Sequence, residues 1–277
     1  MLKPLQPPLI GVDEVLKLPN PAPDARIPYG SDPLQFGDLR LPEAEGPHPV
    51  VVIIHGGCWR SQYTIEHIGS FADALTRDGL ATWTIEYRRV GDPGGGWPGT
   101  FLDVGAAIDH IHRLREEHAL DISRVVVAGH SAGGHLALWA GARRKLTDAA
   151  LRGKDPLALK GVVSLAGVDN LRRAIDEGVC DNMAAELLGG TPEEVPDRYA
   201  VTSPIELLPL GVAQHLVSGA RDPIVPEAFG RDYCRAAREA GDEAVLTVIP
   251  DAGHFELIAP STAAWRQVKK AIWEIVE

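Results

Sequence analysis

Val125-Val126-Val127-Ala128-Gly129-His130-Ser131-Ala132-Gly133-Gly134-His135-Leu136-Ala137-Leu138 is the stretch whose reading decides the fold. A β-branched run ends in Gly-His-Ser-Ala-Gly and passes at once into helix-favouring residues, which puts Ser131 at a strand-to-helix corner. G-x-S-x-G at such a corner is a nucleophile elbow. Gly129 and Gly133 let strand and helix approach where side chains would clash, so the serine hydroxyl is pushed out above the sheet. The Ala132 N–H then lies at a helix N-terminus, where unpaired amides and the dipole favour negative charge. The bland alternative is a glycine-rich turn with an incidental serine, and the rest of the chain decides between the two.

Working outward, apolar runs at 50–55, 81–87 and 124–130 alternate with helical patterns at 65–78, 100–118 and 132–144. The rhythm resumes with runs at 161–166, 213–218 and 244–249 and helices at 227–240 and 261–276. Such alternation calls for an α/β fold: a mainly parallel central sheet with helices on both faces. Residues 34–41 read as an edge strand. Residues 1–33 are rich in proline and read as an arm lying over the domain, with a short helix at 12–18. Between 167 and 210 no strand is expected, only helical patches at 171–177 and 183–188, with Gly189-Gly190 and several prolines. An insertion there sits above the strand C-termini, where ligands bind, and is expected to be a small cap. With no repeat or linker, 1–277 reads as one domain.

Composition excludes several classes of function. A formal net charge of −11, with Lys and Arg scattered, argues against nucleic acid or an anionic membrane as partner. Cys58, Cys180 and Cys234 are an odd count without metal-like spacing, so neither a disulfide framework nor a metal site is expected. No cofactor is expected either. Prolines at 4, 7 and 8 interrupt any apolar helix of signal-peptide length, and no apolar run approaches the ~20 residues of a membrane span. The expectation is a cytoplasmic protein whose partner is a small molecule; the sequence does not determine the oligomeric state.

An exposed serine needs a base, and the base needs an orienting carboxylate. The strand at 213–218 leads into Gly219-Ala220-Arg221-Asp222-Pro223, and the strand at 244–249 into Pro250-Asp251-Ala252-Gly253-His254. These strand ends nominate Asp222 and His254, in the chain order Ser, Asp, His. Among ten histidines, His110, His112, His118 and His135 fall on expected helices and read as structural, and His130 as packing beneath the elbow. Asp251 and Asp169 compete for the acid role, but a loop of a few residues leaves Asp251 poorly placed to reach the ring. Ile53-Ile54-His55-Gly56-Gly57-Cys58-Trp59 follows the first central strand, and its Gly57 and Cys58 amides can join that of Ala132 as an oxyanion hole.

The triad order, Gly129-His130-Ser131-Ala132-Gly133 and His55-Gly56-Gly57 together resemble the α/β-hydrolase superfamily from about residue 34 to 276. His55-Gly56-Gly57-Cys58-Trp59 resembles the His-Gly-Gly-x-Trp motif of the kynurenine formamidase (arylformamidase) branch; hormone-sensitive-lipase-like esterases carry a third glycine where Cys58 stands. Glu86-Tyr87-Arg88, Trp97-Pro98 and Asp103 are similar to the Tyr-Arg segment of both branches. The resemblance implies metal-independent hydrolysis of a carboxylic ester or an aryl formamide such as N-formylkynurenine. Trp59 is either an aromatic wall of the pocket or a core residue under the loop; Trp97 either lines the cleft or sits on a surface loop. A ligand-binding protein that keeps the hydrolase shell without turnover is the alternative from another class, set against a triad complete in sequence.

Overall fold

The strand His48–Ile54 shows why this chain makes a covered parallel sheet. It is buried along its whole length, and its valines and isoleucines divide by the period of a strand. Val50, Val52 and Ile54 pack into a core with Trp83, Phe101 and Trp139. Val51 and Ile53 face the opposite core with Phe71, Leu75 and Ile272. Two apolar layers therefore sandwich one sheet.

The computed structural model describes residues 7–277. Its strands are β1 (Ala25–Pro28), β2 (Phe36–Arg40), β3 (His48–Ile54), β4 (Ala81–Ile85), β5 (Leu120–His130), β6 (Gly161–Leu165), β7 (Ala213–Gly219) and β8 (Ala244–Ile249). They form an eight-stranded sheet in the order β1-β2-β4-β3-β5-β6-β7-β8. β1, β2 and β4 pair antiparallel, and the strands from β4 to β8 run parallel. The expected α/β architecture, mainly parallel with helices on both faces, is the one adopted. After β3 the chain steps to β4 on one side, then returns to place β5 on the other, with Ile54 beside Gly129. The loops after β3 and β5 thus diverge from a crevice at the strand C-termini, the usual ligand position in an open α/β sheet.

The structure redraws several elements. β2 is not the edge: β1, inside the proline-rich arm, covers it. Its Pro28 is tolerated because an outer strand has one side free of ladder hydrogen bonds. Of the arm expected at 1–33, residues 1–6 lie outside the described residues; the short helix is Val12–Leu16. The helix expected at 100–118 divides at His110 into Gly99–Asp109 and Ile111–Glu117. The interval 167–210 has helices and no strand among the described residues, and its longest helix, Pro196–Thr202, has proline in its first turn, where the absent N–H costs nothing.

At the elbow, helix Ala132–Ala142 is buried on every side. A Cβ on Gly129 would lie 2.0 Å from the Gly133 oxygen, and one on Gly133 would lie 2.1 Å from the Ile54 oxygen. Backbone touches backbone here, so neither neighbour can yield as a flexible side chain would. Gly133→Ala is therefore expected to destabilise the fold by at least the ~1–3 kcal/mol typical of overpacking, read as a lower urea midpoint. An unchanged midpoint would show that helix and strand can part.

Candidate active site

Ser131 caps helix Ala132–Ala142 at φ 56° and ψ −120°, a left-handed φ that a non-glycine residue holds only when its surroundings compel it. The corner is fixed by Ser131 N–H donating to the Leu165 carbonyl at 2.8 Å. Beside it, His254 Nδ1–H donates to Asp222 Oδ2 at 2.6 Å, with both side chains almost wholly buried. Asp222 Oδ1 in turn accepts the amides of Ile224 and Val225 at 2.8 and 2.9 Å, which orients the carboxylate. The competing carboxylates do not bond to His254: Asp251 is exposed, and Asp169 is buried, where desolvation pushes its carboxyl well above the ordinary range. Of the three, Asp222 is the one bonded to His254.

A cavity of about 210 Å³ opens onto Gly57, Cys58, Ser131 and His254. Val12, Ile224 and Phe255 add an apolar side, Tyr63 and His67 another. Among the described residues, no acceptor takes the amide hydrogens of Gly57, Cys58 or Ala132. Gly57 has φ 106°, and a Cβ there would strike Tyr63 Cβ at 2.4 Å. The structure thus brings together the sequence-nominated Ser131, Asp222, His254, Gly57 and Cys58, with Ala132 next in chain to the serine.

Two nominated pocket residues lie elsewhere. Trp59 is fully buried in the core, where its Nε1–H donates to His135 Nδ1 at 3.2 Å. It is the packing residue, not the aromatic wall. His135 Nε2–H donates to the Thr202 carbonyl at 3.0 Å, so the neutral ring has both nitrogens satisfied, and burial pushes its pKa down to about 4. Trp97 packs edge-on against Phe101 and is not among the cavity's lining residues; its backbone N–H donates to the Leu187 carbonyl at 2.7 Å. His130 does pack, as expected, but it also supports the site: Nε2–H donates to the His254 carbonyl at 3.0 Å, and burial, aided by His254 and His67, holds its pKa well below the ordinary value.

Two features escaped the sequence. Cys58 and Cys180 form a disulfide across 122 residues of sequence, where no disulfide was expected. An odd count misleads because Cys234 is simply a buried free thiol. The arm also reaches the site itself: Val12 lines the cavity, and the Glu256 carboxylate accepts Ile10 N–H at 2.7 Å and Gly253 N–H at 2.9 Å. Nothing in the local sequence around Val12 marks it, since only the folded path of the arm brings it there.

Beneath the loop after β3 lies a buried charged network. His55 Nε2–H donates to Glu86 Oε1 at 2.8 Å, and Nδ1 faces the Gly56 carbonyl at 2.8 Å. Glu86 also accepts the Ile65 amide at 3.0 Å and pairs with Arg89 at 3.1 Å. Burial alone would raise the Glu86 carboxyl, but His55, Arg89 and the Ile65 amide outweigh it and hold the pKa below the ordinary range.

Comparison with known proteins places the chain in a family. A family model, BD-FAE, matches residues 38–233. Esterase LipC of Mycobacterium tuberculosis is 28% identical over 243 residues, which is 84% of this chain and 60% of that protein. The chain thus spans about 60% of the length of LipC. Kynurenine formamidase of Danio rerio is 24% identical over 240 residues, 84% of this chain and 74% of that protein. The solved structure of esterase B from Lactobacillus rhamnosis superposes with a TM-score of 0.80 at 18% identity, covering 95% of this chain and 90% of that one, a likeness of fold.

Glu86→Gln removes the buried carboxylate that binds His55 and the Ile65 amide and leaves Arg89 paired with Asp92 alone, and is expected to cost ~1–3 kcal/mol. Because the native carboxyl titrates below the ordinary value of about 4.3, its stabilisation is complete above that value and is lost as pH falls through the lower native one. The stability gap between wild type and variant, measured by urea unfolding from pH 7 to pH 3, should therefore narrow on acidification. A constant gap would overturn the assignment.

Proposed function

Since the chain belongs to the BD-FAE family, we propose that it is a serine hydrolase of carboxylic esters with a short acyl group. The observation that carries this reading is the buried 2.6 Å bond from His254 to Asp222 on the same cavity as a strained Ser131. In this mechanism Ser131 Oγ attacks the ester carbonyl while His254 Nε2 takes its proton. Asp222 keeps the other nitrogen protonated and stabilises the imidazolium. The developing oxyanion is met by the free amides of Gly57, Cys58 and Ala132, which are already oriented and so cost no reorganisation at the moment of reaction. The tetrahedral intermediate collapses, His254 gives its proton to the leaving alcohol, and a water activated by the same ring then cleaves the acyl-enzyme. The 167–210 segment acts as a cap, tied to the oxyanion loop through Cys180.

The cavity's volume of about 210 Å³ and its Val12, Ile224 and Phe255 side favour a short apolar acyl group. The formamidase relative supports a second reading, hydrolysis of an aryl formamide. With Trp59 in the core, the residue that implied an aryl substrate is withdrawn from the pocket, and the ester reading leads. Disulfides persist chiefly in oxidising compartments, so the cysteines no longer favour the cytoplasm.

A fluorophosphonate probe should label wild type stoichiometrically and leave Ser131→Ala unlabelled, with hydrolysis of p-nitrophenyl acetate lost in that variant. Label recovered on another residue by mass spectrometry would sink the nucleophile assignment. Asp222→Asn should lower kcat by ~10⁴, as loss of the orienting acid does elsewhere, with the far-UV spectrum unchanged. Asp251→Asn should leave kcat within about twofold, because an exposed carboxylate away from the ring stabilises no charge there. The reverse ranking would mean that the wrong carboxylate is named.

A further inference from the structure

We propose that Cys180 is a positioning residue for catalysis: through its disulfide with Cys58 it holds the Cys58 amide toward the developing oxyanion. The inference rests on the serine-hydrolase reading above. Cys58 has φ 51° and Trp59 φ 56°, and a non-glycine residue keeps such a backbone only where its surroundings over-determine it. The Cys58 N–H lies in the peptide plane it shares with the Gly57 carbonyl, and the φ of Cys58 sets how that plane stands relative to the disulfide-bonded side chain. Relaxation to a negative φ would swing that amide away from the cavity.

The restraints on either side of Cys58 are clear. Gly57 is held by a turn, its carbonyl accepting Arg60 N–H at 2.9 Å. Trp59 is pinned from behind by His135. The Cys58 side chain has the disulfide, and its partner sits in a second left-handed run: Cys180 φ 59°, Asp181 φ 54° and Asn182 φ 63°. Arg60 also crosses to this run, with Nη2 donating to Asp181 Oδ2 at 3.0 Å. That ion pair is a poor substitute, because the Asp181 side chain is 86% exposed and its charge is screened. The 57–60 turn and the bond from Val90 N–H to the Trp59 carbonyl at 2.9 Å shape the backbone, and the disulfide is the covalent restraint that keeps Cys58, a non-glycine residue, in it.

Glycine adopts φ 51° without compulsion, and it retains the same backbone N–H. This separates positioning from simple stapling. With p-nitrophenyl acetate as substrate, Cys180→Ser should lower kcat roughly tenfold, the scale of one strained residue released, with KM within about twofold. Cys58→Gly combined with Cys180→Ser should raise kcat severalfold above Cys180→Ser alone, since glycine needs no clamp. Wild type treated with dithiothreitol, which supplies two electrons and two protons and closes to its own cyclic disulfide, should reproduce the fall, with thiol titration showing two new thiols. This arm carries the comparison if Cys180→Ser does not fold. A bond that only stabilises would lower the melting temperature of both variants and give no rescue of kcat.

A wild-type kcat in the reduced, folded enzyme would overturn the proposal, as would a double variant no faster than Cys180→Ser. If Ser131→Ala retains hydrolysis, the serine-hydrolase reading fails. If Ser131→Ala is inactive while reduction leaves kcat unchanged, only the role of Cys180 fails.

Discussion

Backbone contact at the elbow is the constraint on which the other features of the site depend. Gly133 lies against the Ile54 carbonyl and Gly129 against the Gly133 carbonyl, at separations that leave no room for a Cβ. That contact draws helix Ala132–Ala142 onto the ends of β3 and β5, which the register already sets side by side at Ile54 and Gly129. Ser131 is forced into a left-handed φ, and the loop after β3 is forced to pass directly over it. Ser131 and the amides of Gly57 and Cys58 are therefore one construction, because the close approach that fixes the serine at the cavity also brings the neighbouring loop to it.

A loop so placed must be held, and three different kinds of chemistry hold it. At its root, His55 is fixed by a buried carboxylate, Glu86, which is itself compensated by Arg89 and an amide. Buried charge of this kind is costly and persists when every member is satisfied. At its far end, Trp59 is tied to the elbow helix through neutral His135, which passes the connection on to the Thr202 carbonyl in the 167–210 segment. Between them, Cys58 is covalently bonded to Cys180 in the same segment. The 167–210 segment is thus fastened to the loop after β3 by a hydrogen-bonded ring, by a disulfide and by the ion pair from Arg60 to Asp181.

The opposite wall is drawn from the chain's two ends. Glu256 binds the Ile10 amide with one oxygen and the Gly253 amide with the other, so the proline-rich arm and the loop carrying His254 share one carboxylate. Arg221, next to Asp222, donates to the Pro7 carbonyl at 2.9 Å. The arm therefore rests on the loops of both His254 and Asp222, and through Val12 it closes the cavity.

Sequence alone determined what short-range rules control. The alternation of apolar runs and helical patterns reflects local periodicity, and β8 falls at 244–249 as expected. The elbow is legible because a glycine pair around a serine has a local steric cause, and Asp222 and His254 because strand ends deliver side chains to one edge of a parallel sheet. Tertiary structure decided what depends on two distant segments meeting. A four-residue edge strand hides in proline-rich sequence because its pairing with β2 lies in another segment. Trp59 is a large apolar group with a polar edge, equally suited to a pocket or a core, and it goes to the core because His135 and Thr202 there satisfy its N–H chain. Cys58 and Cys180 stand 122 residues apart, and a count of cysteines carries no information about which thiols a fold brings within bonding distance.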